Sequence, residues 1–298
     1  MINTQNCKIC KSPNLKIIYH VAICKNCKVL LFYPYPENDK EIFLKKKYTK
    51  DKIAINSNIE ETKKRQLDYL LESGDLNINN FNQMINFTIP QSLKDKEIDI
   101  LDYGGGGGQF ASICKLTFPL SKIYITDLYD EKLLERYKKF NNQIKFSEFE
   151  NNKIKFDFIF LNDVLEHLSD PSDVLKFLKN KLKDNNSKIF IDTPKKFWLY
   201  EFSSVFSKKL YRKILNGTVD QDHQQIWSKK SFYIATSNSG LKVEKYKELT
   251  EFTQPASFYL NSMKIENFYL RLLGKIFYFF APVIARNKII SILKKNYI

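Results

Sequence analysis

Four cysteines near the start of the chain stand in two pairs, and their spacing is typical of a metal site. The pairs are Cys7 with Cys10 in "CKIC" and Cys24 with Cys27 in "CKNC", separated by thirteen residues. Two thiolates on one tight turn can share a zinc ion, and two such turns complete a tetrahedron of sulfur ligands. A closed set of four sulfurs leaves no position for a substrate. The pattern therefore predicts a structural zinc ion.

Alternatives to this zinc prediction remain at two points. His20 lies between the pairs and could replace one cysteine as a ligand. Glycine commonly follows the second cysteine of such a turn, but Lys11 and Lys28 stand there. Disulfide pairing is the competing interpretation, and it is disfavoured because the first residues carry no apolar export signal.

A second stretch, "DYGGGGGQF", begins at Asp102 and holds five of the nine glycines of the chain. A glycine-rich turn between a buried strand and a helix lets backbone amides approach a ligand closely. No G-K-S/T follows, so a phosphate-binding P-loop is excluded, and a dinucleotide fingerprint fits only in its G-x-G-x-x-A variant. The remaining register combines Asp102 with Gly104, Gly106 and Gly108. A carboxylate at this strand end disfavours a pyrophosphate and suits a cationic ligand.

This register predicts unequal roles for the five glycines. Glycine is required where the backbone needs a positive φ or where no Cβ atom fits. We expect Gly104, Gly106 and Gly108 to tolerate no side chain, whereas Gly105 and Gly107 should accommodate one.

The elements that must position this loop alternate along the chain. From residue 97 onward, short apolar runs alternate with amphipathic segments, which predicts a parallel sheet with helices on both faces. Asp127 ends the second predicted strand, nineteen residues past Gly108, where an acid can accept hydrogen bonds from the hydroxyls of a ribose. The last apolar run, residues 287–296, fits either a helix or a strand, and we favour a final strand.

The composition limits the classes of function. The net charge of +15 favours an acidic partner, such as nucleic acid, a phosphorylated metabolite or an anionic membrane surface. Only five of the 48 basic residues are arginine, which best reads phosphates and guanine edges, so we favour a solvated lysine-rich surface. The apolar run 276–285 is too short to span a membrane and contains Pro282. We expect a cytoplasmic protein, with peripheral membrane contact left open.

Four segments together resemble one enzyme family. They are "ILDYGGGGGQF", "ITD", "FDFIFLNDVLEHLSDP" and "SKIFIDTP", and in this order they are similar to class I S-adenosylmethionine-dependent methyltransferases over about residues 97–195. The four-cysteine head followed by "FYPYPENDKEIF" resembles a subgroup with a zinc ribbon before the catalytic domain. That subgroup includes sugar methyltransferases of surface-polysaccharide and deoxysugar pathways. The resemblance implies an α/β fold with a Rossmann-like seven-stranded sheet flanked by helices and a small N-terminal zinc module.

The resemblance also implies which residues bind S-adenosylmethionine. Asp102 and the glycines at 104, 106 and 108 would hold its methionine part, and Asp127 its ribose hydroxyls. The remaining cofactor-binding candidates are Glu148 near the adenine amino group, and Asn162 and Asp163 at the end of the fourth strand. The assignment of Glu148 is ambiguous because "FSEFE" offers two acids.

A hydroxyl acceptor needs a base near neutral pH, and histidine is the usual choice. In the zinc-headed sugar methyltransferases, an acid–histidine pair before the sixth strand is implicated in this step, and Asp222–His223 stands at that place. The resemblance thus implies His223 as the base and Asp222 as its orienting partner. His167, in "LEHL", is a further catalytic candidate, with orientation of the following helix as its alternative role.

The predicted organisation has three parts. A zinc-ribbon-like module covers residues 1–36, a helical linker 37–96, and the methyltransferase domain 97–298, with an insertion at about 195–225 as a substrate lid. The leading hypothesis is methyl transfer to a small-molecule acceptor, a hydroxyl of a sugar or sugar nucleotide, with oxygen preferred over carbon or nitrogen. A ribosomal RNA methyltransferase that grips RNA through the zinc head, a catalytically silent binding protein and a dehydrogenase remain as alternatives. The sequence defines neither the acceptor nor the oligomeric state.

Overall fold

The structure of the chain is a computed structural model, and contacts within it define two compact units. One unit comprises Met1–Pro34, Ile85–Leu249 and Arg286–Ile298, and the other comprises Tyr35–Met84 and Thr250–Ala285. The predicted boundaries at residues 36 and 96 are not the boundaries of these units, because the N-terminal module shares a unit with the large sheet. The residues that the structure describes are 6–18, 21–33, 78–128, 138, 142–196, 223–250, 256–262, 266–284 and 286–296.

A small antiparallel sheet combines three strands of the N-terminal module with one strand from much later in the chain. The strands are β1 (Leu15–Ile18), β2 (Val21–Cys24), β3 (Leu30–Phe32) and β9 (Gln225–Ile226), in the spatial order β1-β2-β3-β9. Val21, Leu30 and Ile226 form its buried apolar cluster. A module of about 30 residues cannot bury a sufficient core alone. This module therefore completes its core with a strand from a distant part of the same unit.

The large sheet has seven strands in the order β10-β11-β8-β7-β4-β5-β6. Its strands are β4 (Asp99–Tyr103), β5 (Lys122–Thr126), β6 (Asn142–Gln143), β7 (Phe158–Asn162), β8 (Lys188–Pro194), β10 (Leu241–Leu249) and β11 (Lys288–Lys295). Strands β4 to β8 pair in parallel, whereas β11 is antiparallel to both of its neighbours. The prediction of a seven-stranded α/β sheet is confirmed, and so is the final strand at the end of the chain.

The central strands are apolar because both of their faces are covered. All residues of β4 and β7 between Ile100 and Tyr103 and between Phe158 and Leu161 are buried. Phe160 lies at the middle of this core, with ring centroids 4.8 Å from Phe110 and 5.4 Å from Phe190. Continuous apolar runs of this kind are typical of parallel strands between two helix layers.

Seven helices are present among the described residues. They are α1 (78–88), α2 (Gln109–Thr117), α3 (Phe146–Phe149), α4 (Pro171–Lys181), α5 (Lys229–Asn238), α6 (Ala256–Ser262) and α7 (Phe268–Ile284). Helix α4 begins where the Asp170 carboxylate accepts a hydrogen bond from the backbone N–H of Asp173, with Pro171 at its first position. Helix α5 begins with a capping box between Ser228 and Ser231.

The alternating pattern of "QIKFSEF" is typical of a short strand, but only Asn142–Gln143 pairs with β5, and Phe146–Phe149 forms a helical turn. Phe146 and Phe149 pack on Tyr103, with ring centroids at 6.4 and 5.8 Å. Aromatic packing on β4 thus outweighs the alternating pattern.

The second unit contains helices α6 and α7. Gly274 allows the close approach of the two helices, because a Cβ atom there would lie 2.5 Å from Cδ2 of Leu260. Large side chains of α7 are exposed, including Phe268, Tyr269 and Phe279. Within the described ranges, every helix is too short or too polar to cross a membrane.

Candidate functional site: a glycine loop, a histidine pair and four cysteines

The glycine loop connects β4 to α2 and has the backbone conformation that the predicted register requires. Gly104, Gly106 and Gly108 have φ values of 76°, 49° and 84°, a region that favours glycine, whereas Gly105 and Gly107 do not. The backbone N–H groups of Gly104 and Gly105 donate to the carbonyl of Thr126 at 2.8 and 3.3 Å. The loop is therefore fixed to the end of β5.

The space available for a side chain at each glycine of the loop does not follow the φ values. A Cβ atom at Gly104 would lie 2.6 Å from Cγ2 of Val164, so the loop touches the segment after β7. A Cβ atom at Gly105 would lie 2.6 Å from Oδ2 of Asp102 and 2.7 Å from Cγ1 of Ile125, whereas one at Gly106 would meet nothing within 4 Å. The expectation that Gly105 tolerates a side chain is therefore wrong.

Asp102 lies beneath this loop at the end of β4, with 2% of its surface exposed. Its Oδ2 atom has no hydrogen-bond partner among the described residues. Burial and, second, the charge of Asp127 raise the pKa of the Asp102 carboxyl to about 7, although a hydrogen bond from the backbone N–H of Ala111 lowers it. The site therefore holds a carboxylate that a cationic or N–H-bearing ligand would stabilise.

Asp127 follows β5 and lies on the other side of the loop. Its Oδ2 atom accepts a hydrogen bond from the backbone N–H of Gly106 at 3.0 Å. Parallel pairing of β4 with β5 places Asp102 opposite Ile125, two residues before Asp127. The two acids predicted to bind the cofactor thus lie at one edge of the sheet.

The end of β7 contributes two further predicted residues. Both side-chain polar atoms of Asn162 are buried without a hydrogen-bond partner among the described residues, which fits a ligand-binding amide. Asp163 has a φ of 50°, rare for a residue with a side chain. Its Oδ1 atom lies 2.6 Å from Nζ of Lys288, which also lies 3.0 Å from Oδ2 of the buried Asp192. Asp163 is therefore held at the edge of the site by an ion pair.

Glu148 lies apart from these groups in the contacts that the structure describes. Its carboxylate is 3.8 Å from Nζ of Lys145, and both side chains are about two-thirds exposed. The proposed contact with an adenine amino group therefore remains a prediction from the family resemblance.

The structure brings His167 and His223 together, although 56 positions separate them in the sequence. Their ring centroids lie 4.9 Å apart at an interplanar angle of 33°. Asp222, the predicted orienting acid, and His20 lie outside the described residues. The described acid nearest to the pair is Glu166, whose Oε1 atom lies 4.0 Å from Nε2 of His167.

Glu166 is a candidate that the sequence analysis missed. The residue is fully buried, and its Oε2 atom accepts a hydrogen bond from Oγ1 of Thr193 at 2.9 Å. Burial, followed by the charge of Asp163, raises the pKa of its carboxyl well above the usual range. A signal was present in "LEHL", where an acid directly precedes a candidate catalytic histidine. Buried carboxyl groups with raised pKa values cluster at functional sites.

The three side chains of Glu166, His167 and His223 each offer one metal-ligating atom, and these atoms lie within 4.8 Å of one another. Nitrogen and oxygen ligands of one zinc ion would lie about 3.4 Å apart. The 4.0 Å separation between Glu166 and His167 is wider than this. The arrangement fits an acid–base cluster better than a metal centre.

The four cysteines have the spacing of a metal centre. The Sγ atoms of Cys7 and Cys27 lie 3.7 Å apart, those of Cys10 and Cys24 lie 3.5 Å apart, and all four sulfurs lie within 4.8 Å of one another. Sulfur ligands around a tetrahedral zinc ion lie about 3.8 Å apart. These residues therefore fit a four-sulfur zinc site.

The two lysines at the expected glycine positions adopt the glycine conformation. Lys11 and Lys28 have φ values of 59° and 65°. Their backbone N–H groups donate to the carbonyls of Cys7 and Cys24 at 2.7 and 2.9 Å. The turns form in spite of the lysines, because these hydrogen bonds fix the backbone around the sulfurs.

Comparisons with known proteins agree with the fold. The family description "Methyltransferase domain" matches residues 76–246. A Galdieria sulphuraria protein named as a candidate sarcosine dimethylglycine methyltransferase is similar with a TM-score of 0.52 and 14% identity, covering 73% of this chain and 86% of that chain. A search of curated protein sequences gives no match.

Two further solved structures share the fold. Geranyl diphosphate C-methyltransferase from Streptomyces coelicolor A3(2) has a TM-score of 0.51 and 11% identity, with 76% of this chain and 82% of that chain covered. Phosphoethanolamine N-methyltransferase 2 from Haemonchus contortus has a TM-score of 0.50 and 14% identity, with 74% of this chain but only 53% of that chain covered. Identities this low show the fold alone. The family match, however, spans more than half of the chain, so the chain belongs to this methyltransferase family and is an S-adenosylmethionine-dependent methyltransferase.

Proposed function

We propose that the chain transfers a methyl group from S-adenosylmethionine to a hydroxyl of a sugar or sugar nucleotide. The supporting observation is a single turn that joins the cofactor loop to the histidine pair. Val164 lies against Gly104 at one end of this turn, and the backbone N–H of His167 at the other end donates to the carbonyl of Val164 at 3.0 Å. His167 therefore lies one turn from the residue that contacts the cofactor loop, and the ring of the candidate base His223 lies 4.9 Å from the ring of His167. This arrangement supports alignment of acceptor and methyl donor.

The cofactor would be held by groups whose bonding capacity is unused. Asp102 and Asn162 contribute buried polar atoms without hydrogen-bond partners among the described residues, and the glycine loop contributes backbone that no Cβ atom obstructs. Asp127 would exchange its bond to Gly106 for the ribose hydroxyls. When bound, the cofactor supplies an electrophilic methyl group on a sulfonium centre.

Proton removal from the acceptor falls to His223 in this proposal, with Asp222 as its orienting partner and His167 beside it. A neutral imidazole is the usual general base for proton removal near neutral pH. The family resemblance assigns this role, and the 4.9 Å contact between the two rings supports it. Burial of Glu166 next to His167 supplies a fixed partner for the pair.

The sugar acceptor rests on the resemblance to zinc-headed sugar methyltransferases. The four-sulfur geometry supports the zinc head of that resemblance, and we propose that this zinc is structural. A ribosomal RNA acceptor is less well supported, because only five of the 48 basic residues are arginine, the residue that best recognises phosphates and guanine edges.

Incubation of the zinc-loaded protein with methyl-labelled S-adenosylmethionine and either a panel of nucleoside diphosphate sugars or ribosomal RNA tests the proposal. We expect label in a sugar hydroxyl, and calorimetry should show binding of S-adenosylhomocysteine. Label only in ribosomal RNA would replace the proposed acceptor. Cofactor binding without labelling of any acceptor in the panel would favour the silent binding protein.

Two variants separate the roles within the site. His223→Ala should lower kcat by roughly 100-fold or more, the usual contribution of a general base, and leave the affinity for S-adenosylhomocysteine unchanged. Asp102→Asn should lower that affinity instead. An unchanged kcat in His223→Ala would remove this residue as the base without affecting the cofactor site.

A further inference from the structure

Strand β9 follows His223 directly and is bonded on two sides. On one side it pairs with β3 of the four-cysteine module, with Leu30 opposite Ile226 and Leu31 opposite Gln225. On its other side it contacts the turn that carries Glu166 and His167. The candidate base therefore precedes a strand whose position two separate parts of the fold determine.

The side chain of Gln225 makes the contact with the histidine turn. Gln225 is fully buried, and its Nε2 atom donates to the carbonyls of Leu165 and Leu168, each at 2.6 Å. These two carbonyls bracket Glu166 and His167 in the sequence. One amide group therefore holds both ends of the segment that carries His167.

Backbone hydrogen bonds strengthen the same contact. The N–H groups of Gln224 and Gln225 both donate to the carbonyl of Glu166, at 2.9 and 3.3 Å. The backbone that follows His223 is thereby fixed relative to the backbone of Glu166. These bonds join the two segments whose histidine rings lie 4.9 Å apart.

The cysteine module holds the opposite side of β9. The N–H of Phe32 donates to the carbonyl of Gln224 at 2.9 Å, and Oγ of Ser228 donates to the carbonyl of Cys27 at 2.6 Å. The carbonyl of Val29, at the start of β3, accepts from the N–H of Cys24. The backbones of two predicted metal ligands are thus hydrogen-bonded to residues next to β9 and next to its partner strand β3.

We propose that Gln225 is a positioning residue that holds His223 against His167, and that the four-cysteine module supports the same strand from its other side. The inference rests on the proposed function in that it takes the histidine pair as the acid–base group. It adds a role for the N-terminal module, which is to fix part of the acceptor side of the site.

A histidine spectrum tests the proposal without any acceptor. The chain has three histidines, so ¹⁵N-histidine labelling of the full-length, zinc-loaded protein gives signals from only three imidazole rings, assigned with His167→Asn and His223→Asn. Gln225→Met keeps the size of the side chain and removes its donor. We expect this variant to move the signals of His167 and His223, with the affinity for S-adenosylhomocysteine within about twofold of the parent, because Gln225 contacts none of the proposed cofactor-binding residues in its side-chain hydrogen bonds.

Gln224→Met is the matched control, because Gln224 is also buried and its side-chain oxygen accepts no hydrogen bond from the described residues. Its spectrum should superpose on that of the parent. If Gln225→Met does not fold, Gln225→Asn provides the same test, since the shorter amide cannot reach both carbonyls. Unmoved signals in the Gln225 variants, or equal movement in Gln224→Met, would overturn the proposal.

The support from the cysteine module has its own readout. Cys10→Ser, which disrupts the predicted zinc site, should move the same two histidine signals and accelerate amide exchange at Gln224 and Gln225. Unmoved signals in this variant would show that the module does not support His223.

Because these spectra need no methyl acceptor, they can fail while methyl transfer succeeds, or succeed while every sugar acceptor fails. Where an acceptor is found, we expect kcat of Gln225→Met to fall roughly 10- to 100-fold, as misplacement of a catalytic group predicts, with KM for the cofactor unchanged.

Discussion

The Cβ position of Gly105 lies 2.6 Å from Oδ2 of Asp102, so this glycine lies directly against the buried carboxylate of the cofactor site. The relationship changes which glycine of the loop is expected to matter most. At Gly106, a side chain is disfavoured by the positive φ. At Gly105, a Cβ atom would collide with both the carboxylate of Asp102 and the side chain of Ile125. Displacement of Asp102 alters the ligand site itself.

Gly105→Ala should therefore weaken cofactor binding more than Gly106→Ala. In Gly106→Ala, the left-handed conformation costs about 1 to 2 kcal/mol, and no atom within 4 Å obstructs the methyl group. In Gly105→Ala, Asp102 or Ile125 must move, and we expect affinity for S-adenosylhomocysteine to fall by more than about tenfold. Calorimetry on both variants measures the difference. A Gly105→Ala affinity equal to that of the parent would show that the carboxylate has room to move.

Asp102→Asn should stabilise the ligand-free protein while weakening cofactor binding. The folded-state pKa of Asp102, about 7, lies above its ordinary value of 3.8, so ionisation between these values destabilises the fold as the pH rises. The advantage of the variant in unfolding free energy should grow by roughly 2 to 3 kcal/mol from pH 5 to pH 8, as linkage predicts.

Urea unfolding of the ligand-free protein at the two pH values measures this difference. The matched control is Asp157→Asn, because Asp157 is a partly exposed acid whose carboxylate pairs with Lys183. A constant difference between Asp102→Asn and the parent would mean that Asp102 is already ionised at pH 5.

The order and type of most elements could be predicted from the sequence because the central strands are buried on both faces. Runs such as Phe158–Asn162 are short and lack the polar face of an amphipathic helix, so their pattern favours a strand. The helical turn Phe146–Phe149 could not be predicted in this way, because its conformation depends on packing against Tyr103, which lies more than forty residues earlier. The pairing of β9 with β3 could not be predicted either, since a strand of two residues has no periodic pattern in the sequence.

In the candidate site, too, local features could be predicted from the sequence and contacts between distant residues could not. The φ values of Gly104, Gly106 and Gly108 agree with the register read from spacing alone, because a loop conformation is a local property. The steric role of Gly105 and the burial of Glu166 depend on side chains from other strands. Spacing in the sequence contains no information about those distances.

Replacement of Lys11 or Lys28 by glycine should stabilise the cysteine module. Both residues have positive φ values, which cost a residue with a side chain about 1 kcal/mol relative to glycine. Lys11→Gly and Lys28→Gly should each slow the release of zinc to a chelator, measured with a colorimetric dye. Lys25→Gly, at a position without positive φ, should not slow it. Faster release from Lys11→Gly or Lys28→Gly would show that the lysine side chains stabilise the turns.

Lys288 interacts with two carboxylates that differ in burial, so its two ion pairs should contribute unequally to the stability of the fold. Asp192 is 1% exposed, whereas the side chain of Asp163 is 54% exposed. Lys288→Met removes the cation that faces the buried carboxylate and should destabilise the fold by about 3 kcal/mol. Asp163→Asn should cost less than about 1 kcal/mol, because water screens an exposed pair. Chemical denaturation at pH 7 measures both values.

The double variant Asp192→Asn/Lys288→Met distinguishes charge from packing in this cluster. If the cost of Lys288→Met comes from the buried charge of Asp192, neutralising that carboxylate should recover most of the lost unfolding free energy, giving a coupling of about 2 kcal/mol. If the cost comes from packing of the lysine side chain, the double variant should be no more stable than Lys288→Met. Asp163 is attached to the same lysine at the end of β7, so the charge explanation also predicts that Asp163→Asn/Lys288→Met recovers little. Full recovery in that second double variant would instead make Asp163 the carboxylate that depends on Lys288.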